Sequence, residues 1–287
     1  MGNEEAIIRS ATSYRFVSGG DNGKIHFSYD AINFETTSTS QPQNIEGIAY
    51  GIKKFIAIDG GGNVFSSING SSWNKILKES DGLNDIIYKN DSFFIIGNSG
   101  IIMSSKNGLN WSKATSLDNT LIFKGITYGF GSYFAVSTNK LFSSSDGSNW
   151  SQKIIGVSGN FNNIYANTEI IVIVGNSGFI ATSFDGSTFT TRTSGTVKNL
   201  NKIIFSKGVF VVIGDTGIIL SSSDGLNYDT TVNGDSDTLN DIIYVKNKFI
   251  AVGNSGKIMF SYDGLKWDKN KSGDENYFNI SYGEIPY

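Results

Sequence analysis

The sequence predicts an all-β chain folded as a seven-bladed β-propeller, with four antiparallel strands in each blade. Three observations predict it. One hairpin phrase recurs seven times at nearly constant spacing. Every repeat divides into four short runs of β-prone residues separated by turn residues. No stretch between repeats reads as a helix, a linker or a change of composition, so residues 1–287 form one array with a period of about 39 residues.

The phrase is an apolar pair, Ser-Ser or similar, Asp or Asn, Gly, two residues and an aromatic. Its copies end at Phe34, Trp73, Trp111, Trp150, Phe189, Tyr228 and Trp267. The acid or amide falls at Asp30, Asn69, Asn107, Asp146, Asp185, Asp224 and Asp263, at successive intervals of 39, 38, 39, 39, 39 and 39 residues. Asp/Asn-Gly is turn chemistry: Gly accepts positive φ, and the side-chain oxygen takes hydrogen bonds from turn N–H groups. These seven residues are therefore read as structural hairpin turns. The alternative, a ligand or Ca²⁺ site in each repeat, would need compensating acids in the two units that carry Asn. Unit one has Ala31 where the other units have Gly, which predicts a strained or different turn.

The third unit shows the strands. Leu83–Tyr88, Phe93–Ile96 and Ile101–Ser105 are three short apolar runs, the turn at 97–100 (GNSG) separates the last two, and Trp111 opens a fourth strand. Equivalent turns occur at 20–23, 175–178, 214–217 and 253–256. Each leads into a strand, not a helix, so they are read as hairpin turns and not phosphate loops. Second strands such as Ile170–Val174 and Val209–Ile213 are apolar at consecutive positions, as expected of sheets covered on both faces. Small four-stranded sheets gain that cover by radial stacking, and closing the ring removes the exposed ends.

Closure should come from the C-terminus. Unit one lacks a clean first strand before Tyr14, whereas Tyr277–Gly283 (YFNISYG) matches first strands such as Phe123–Gly129 (FKGITYG). A competing candidate for the closing strand is Ala6–Ser10.

Composition narrows the function. With 23 basic and 26 acidic residues, and arginines only at Arg9, Arg15 and Arg192, the chain lacks the concentrated positive charge of a nucleic-acid binder. No apolar run reaches about 18 residues, and residues 1–20 carry no signal-peptide pattern. There are no cysteines, hence no disulfide or thiolate metal site. His26, the single histidine, lies inside a predicted strand without identifiable catalytic or metal partners. The acid pairs Glu4–Glu5 and Asp235–Asp237 read as solvated charge. Trp73, Trp111, Trp150 and Trp267 hold a fixed place after the turn, which favours packing over sugar stacking. No catalytic, metal or cofactor-binding residue is assigned, and no cofactor is expected.

The Ser-x-Asp-Gly-x-x-Trp hairpin resembles the Asp-box, or BNR repeat, of sialidase-like propellers, one residue shorter than the usual form. In that family the box is a structural hairpin between third and fourth strands. A sialidase also needs an arginine triad, which the scattered arginines here do not supply, so the resemblance implies the hairpin and not the activity. Over nearly its full length the repeat is similar to YVTN- and WD-repeat-like propellers of bacteria, and most of all to propellers of phage and prophage virion or tail regions; Phe249–Gly253 followed by NSGKIMFSYDGLKW at 254–267 carries that likeness.

The resemblance implies a non-enzymatic interaction module, an accessory structural component of a phage or phage-like particle at tail, baseplate or capsid. Its partners would be virion or assembly proteins, it would serve host attachment, and its location would be the virion after synthesis in host cytoplasm. Two alternatives are a glycan-binding, lectin-like adhesin and an intracellular (cytoplasmic) assembly-factor scaffold. Partner contacts are expected on the face that carries the variable connections 74–82, 112–122, 190–199 and 229–238, opposite the uniform hairpins.

Overall fold

A computed structural model describes residues 13–114, 117–232, 234 and 236–286. Glu4, Glu5, Ala6–Ser10, Arg9 and Asp235 lie outside the described residues. The described residues form seven four-stranded antiparallel sheets. Blade 2 comprises Ile45–Gly51, Lys54–Asp59, Asn63–Ser67 and Asn74–Lys78, and the same up-and-down order repeats through blade 7, which begins with Leu239–Val245. The first strand of each blade lines the axis, and the fourth is short and exposed.

Blade 1 is built from both ends of the chain. Ser281–Ile285 supplies its innermost strand, paired antiparallel to Ser13–Gly19, followed by Lys24–Ser28 and Glu35–Ser38. The closing strand is thus C-terminal, and its preceding residues Tyr277, Phe278, Asn279 and Ile280 take the places held in blade 3 by Leu83, Asn84, Asp85 and Ile86. The register agrees with this: Asn240 Nδ2 donates to the Tyr277 carbonyl at 2.8 Å, as Asn84 Nδ2 does to that of Phe123.

The consecutive apolar residues of the second strands follow from the architecture. Side chains alternate across a strand, and here both sheet faces meet another blade. In blade 5, Ile171 and Ile173 pack toward blade 4, while Ile170, Val172 and Val174 pack toward blade 6. Seven such apolar clusters occur among the described residues, one at each blade junction. The core is therefore distributed around the ring, and the junction between blades 7 and 1 depends on Tyr277 and Ile280 from the closing segment.

Turn chemistry separates two faces. One carries the Asp/Asn hairpins and the tight turns between first and second strands; this is the hairpin face. The other, the loop face, carries the turns of the GNSG type and all connections between blades, as the order of strands requires. In the turn at 97–100, Ser99 and Gly100 have φ of 54° and 70°, two consecutive left-handed residues closed by Ile101 N–H to Asn98 O at 3.0 Å. This is type I′ geometry. A Cβ on Gly100 would also lie 2.7 Å from the Asp118 carbonyl oxygen.

The seven hairpins share one hydrogen-bond pattern. In blade 6 the Ser222 hydroxyl donates to Asp224 Oδ1 at 2.9 Å, and that oxygen accepts from the N–H groups of Leu226 and Asn227 at 2.8 and 2.9 Å. Asn107 uses its Oδ1 in the same way, with Ser105, Leu109 and Asn110. A carbonyl oxygen suffices for the task, so acid and amide interchange at this position. Ala31 keeps the shared turn with φ of 63°, accepting the strain that Gly avoids elsewhere. Its methyl group is fully buried at the junction between blades 7 and 1.

Candidate functional site

The axial channel is layered, because the seven first strands run side by side and each places equivalent residues at equal depth. Six of them carry a β-bulge at their second residue, where the pairing register shifts. A bulge bends the strand and re-aims a side chain. The residues so placed are Glu46, Asn84, Lys124, Asn162, Asn201 and Asn240, and Phe278 holds the equivalent place in blade 1. All seven line a cavity of about 380 Å³ at the loop-face mouth.

The asparagines of this ring are held in one orientation. Asn84 Nδ2 donates to Asn98 Oδ1 at 2.9 Å and to the Phe123 carbonyl. Asn162, Asn201 and Asn240 repeat the pair of bonds, each reaching the turn of its own blade and, in the next blade, the first strand or (for Asn240) Tyr277 just before it. Both N–H groups of each amide are used, which stitches adjacent blades and leaves the amide oxygens as acceptors. Lys124 Nζ donates to one of them, Asn162 Oδ1, at 3.2 Å. The Glu46 carboxyl is pushed up to about 7, mainly by burial, with the nearby Asp59 and Asp21 carboxylates adding to it.

One layer deeper, Lys202 reaches across the channel. Its Nζ lies 3.5 Å from Asp85 and 3.7 Å from Asp241, carboxylates from blades 3 and 7. Burial alone would pull the Lys202 ammonium down; the two carboxylates more than offset this and hold it above the ordinary lysine value. Burial pushes the Asp85 carboxyl up, Lys202 opposes that, and Asp241 reinforces it. Removing one member of such a triad leaves uncompensated buried charge.

Beneath the triad the chemistry changes. Ile48, Ile86, Ile126, Ile164, Ile203, Ile242 and Ile280, one per blade and all buried, form a girdle. Beyond it the channel opens on the hairpin face as a funnel of about 580 Å³, with Tyr50, Tyr88, Tyr165, Tyr244 and Tyr282 in its wall. The tyrosine rings also pack between blades: a Cβ on Gly51 would lie 2.4 Å from the Tyr88 ring, and one on Gly283 would lie 2.1 Å from Tyr50.

Other residues singled out in the sequence fall away from the axis. His26 is buried in the third strand of blade 1, its Nδ1 2.9 Å from Thr36 Oγ1 and its ring edge-on to Tyr277. Burial pulls its imidazole down to about 4, against the nearby Glu275 carboxylate. Trp73, Trp150 and Trp267 donate Nε1 to the glycine carbonyl of their own hairpin at 3.1–3.2 Å, and Trp150 is buried between blades 3 and 4. Among the described residues no three His, Asp or Glu side chains converge to hold a metal ion.

The two faces differ in exposed apolar surface. Among the described residues, twelve large apolar side chains are well exposed. Ile122, Ile154 and Val197 lie in loop-face connections. The other nine, including Tyr29, Ile68, Phe184 and Tyr262, lie on the hairpin face. These four each precede the Asp or Asn of their hairpin, at 56–61% exposure. The variable loops were the sequence-based expectation for partner contacts. The regular hairpins carry the larger share of apolar exposure because the residue before the turn acid points away from the blade.

The ring residues and the triad were not selected by sequence reasoning. Their signal is present: in an alignment of repeats, Asn recurs after the first apolar residue of the first strand in blades 3, 5, 6 and 7, with Glu and Lys replacing it in blades 2 and 4.

No family model matches this chain, and no curated protein matches it. Solved structures do. YCF48 bound to D1 peptide superposes with a TM-score of 0.67 at 14% identity, over 92% of this chain and 94% of that one. Selenomethionine-substituted virginiamycin B lyase from Staphylococcus aureus gives a TM-score of 0.71 at 12% identity, over 81% and 86%. Apo AztD from Citrobacter koseri gives 0.68 at 10% identity, over 95% and 98%. At these identities the likeness is one of fold.

Proposed function

We propose that this chain is a non-enzymatic protein-interaction module that docks its partner on the hairpin face. The observation that carries the reading is the concentration of exposed apolar side chains there, Tyr29, Ile68, Phe184 and Tyr262 foremost, around an aromatic-walled funnel. Apolar side chains presented on one face of a rigid frame offer a partner surface to bury. That a propeller of the same fold holds a peptide supports the choice of a protein partner. The similarity of the repeat to phage and prophage propellers supports the finer reading: an accessory structural component of a phage or phage-like particle, made in the host cytoplasm and carried in the virion.

The test uses particles purified on a gradient from cells that produce the full chain. The wild type should co-sediment with tail or capsid proteins. A variant with Tyr29→Ser, Ile68→Ser, Phe184→Ser and Tyr262→Ser should keep its melting temperature within a few degrees, since exposed sites contribute little to stability, and should stay at the top of the gradient. Wild-type protein found free of particles overturns the virion role. A quadruple variant that still co-sediments overturns the hairpin face as the docking surface.

A further inference from the structure

The loop-face mouth of the channel carries a second site, independent of the hairpin face. We propose that it binds a guanidinium group, held on the arc formed by Asn240, Phe278, Glu46 and Asn84.

Four observations carry this. First, these residues are neighbours around the axis, on blades 7, 1, 2 and 3, and all line the same cavity. Bulges place three of them there. Second, the amides of Asn84 and Asn240 have both N–H groups committed to the frame. What each can offer a ligand is an acceptor oxygen already fixed in place, so binding orders little that is not ordered already.

Third, charge within the ring is separated. Lys124 is turned to Asn162, on the far side from Phe278. Glu46 has no ion-pair partner among the described residues. At pH 8, where Glu46 is ionised, Glu46, Asp85 and Asp241 against Lys124 and Lys202 leave the cavity one negative charge in excess, which a single cation neutralises. Fourth, Phe278 puts an aromatic residue in an otherwise polar layer, on the blade adjacent to the one that carries Glu46. A planar cation stacks on such a ring while its edge donates to carboxylate and amide oxygens. Guanidinium, with five N–H donors in one plane, matches acceptors spread along an arc better than a compact ammonium ion does.

The group has two sources, a free small molecule or an arginine side chain displayed by a protein, and the experiment separates them. Calorimetric titration of the full chain at pH 8 and low salt uses agmatine and an acetylated, amidated Gly-Arg-Gly peptide, with n-butylamine and citrulline as controls. Agmatine should bind, and both n-butylamine and citrulline should bind at least about tenfold more weakly. Glu46→Gln should weaken agmatine about tenfold or more. Phe278→Leu should weaken it severalfold, and neither variant should melt more than a few degrees below the wild type. Agmatine tighter than the peptide assigns the site to a free small molecule, and the reverse assigns it to a displayed side chain. Either supports the proposal. Absence of binding by both at roughly 10 mM, or equal agmatine affinity in Glu46→Gln, overturns it.

Discussion

Two buried titratable side chains give opposite pH dependences to the stability of the folded ring. His26 takes up a proton near pH 6.5 when unfolded and only near 4 when folded, so acidification across that window favours the unfolded chain and stability is lost. Glu46 holds its proton up to about 7 when folded but only to about 4.5 when unfolded, so acidification from 7 to 4.5 adds stability. Each contributes about 3 kcal/mol across its window. The hairpin acids act lower: the N–H groups of Asn227 and Leu226 hold the Asp224 carboxyl below the usual range, and its contribution is lost only as pH falls below that range. Urea denaturation as a function of pH separates these effects. Relative to the wild type, His26→Gln should gain about 3 kcal/mol as pH falls from 6.5 to 4, and Glu46→Gln should lose about as much from 7 to 4.5. Difference curves that stay level across these windows would refute the assignments.

Within a blade, residues repeat because neighbouring blades require them. The Tyr-Gly pair that ends several first strands, Tyr50-Gly51 and Tyr282-Gly283 among them, takes part in one repeated contact: the tyrosine ring of one blade lies on the glycine of the preceding blade. Gly51 has no conformational need to be glycine, yet a methyl group there meets the Tyr88 ring at 2.4 Å. Gly51→Ala should therefore destabilise by about 1–3 kcal/mol through overpacking. Combining it with Tyr88→Leu should cost less than the sum of the single changes, as a double-mutant cycle in urea would read. Strict additivity would show that the ring and the glycine do not constrain each other. The pair is visible in the sequence as a recurring dipeptide, but its reason is not, because its members belong to different repeats.

At the scale of the molecule, stability depends on closure. Each junction buries one apolar cluster, and the junctions on either side of blade 1 draw on the C-terminal segment: Tyr277 and Ile280 face blade 7, and Ile285 faces blade 2. Truncation after Asn276 removes the inner strand of blade 1 and exposes both junctions together. Its melting temperature should fall further than that of any single core truncation such as Ile173→Ala, which costs about 2–5 kcal/mol. A truncated chain with the wild-type melting curve would mean that Ser281–Ile285 does not close the ring.

The sequence by itself determined the repeat, the four-strand blade, the seven-fold count and the roles open to Asp30 through Asp263 in the hairpins, while the choice between Ala6–Ser10 and the C-terminal segment as closing strand was made by the pairing of Ser281–Ile285 with Ser13–Gly19. These are local properties: turn chemistry, two-residue alternation and spacing are written within each unit. Tertiary structure alone decided what stands at the axis and on the faces. Glu46, Asn84, Lys124 and Asn240 are ordinary strand residues until a bulge and ring closure set them around one mouth. Asp85 and Lys202 are 117 residues apart and meet only across the channel. Rotational stacking brings equivalent positions of distant repeats together, so a site made of one residue per blade has no contiguous motif to read.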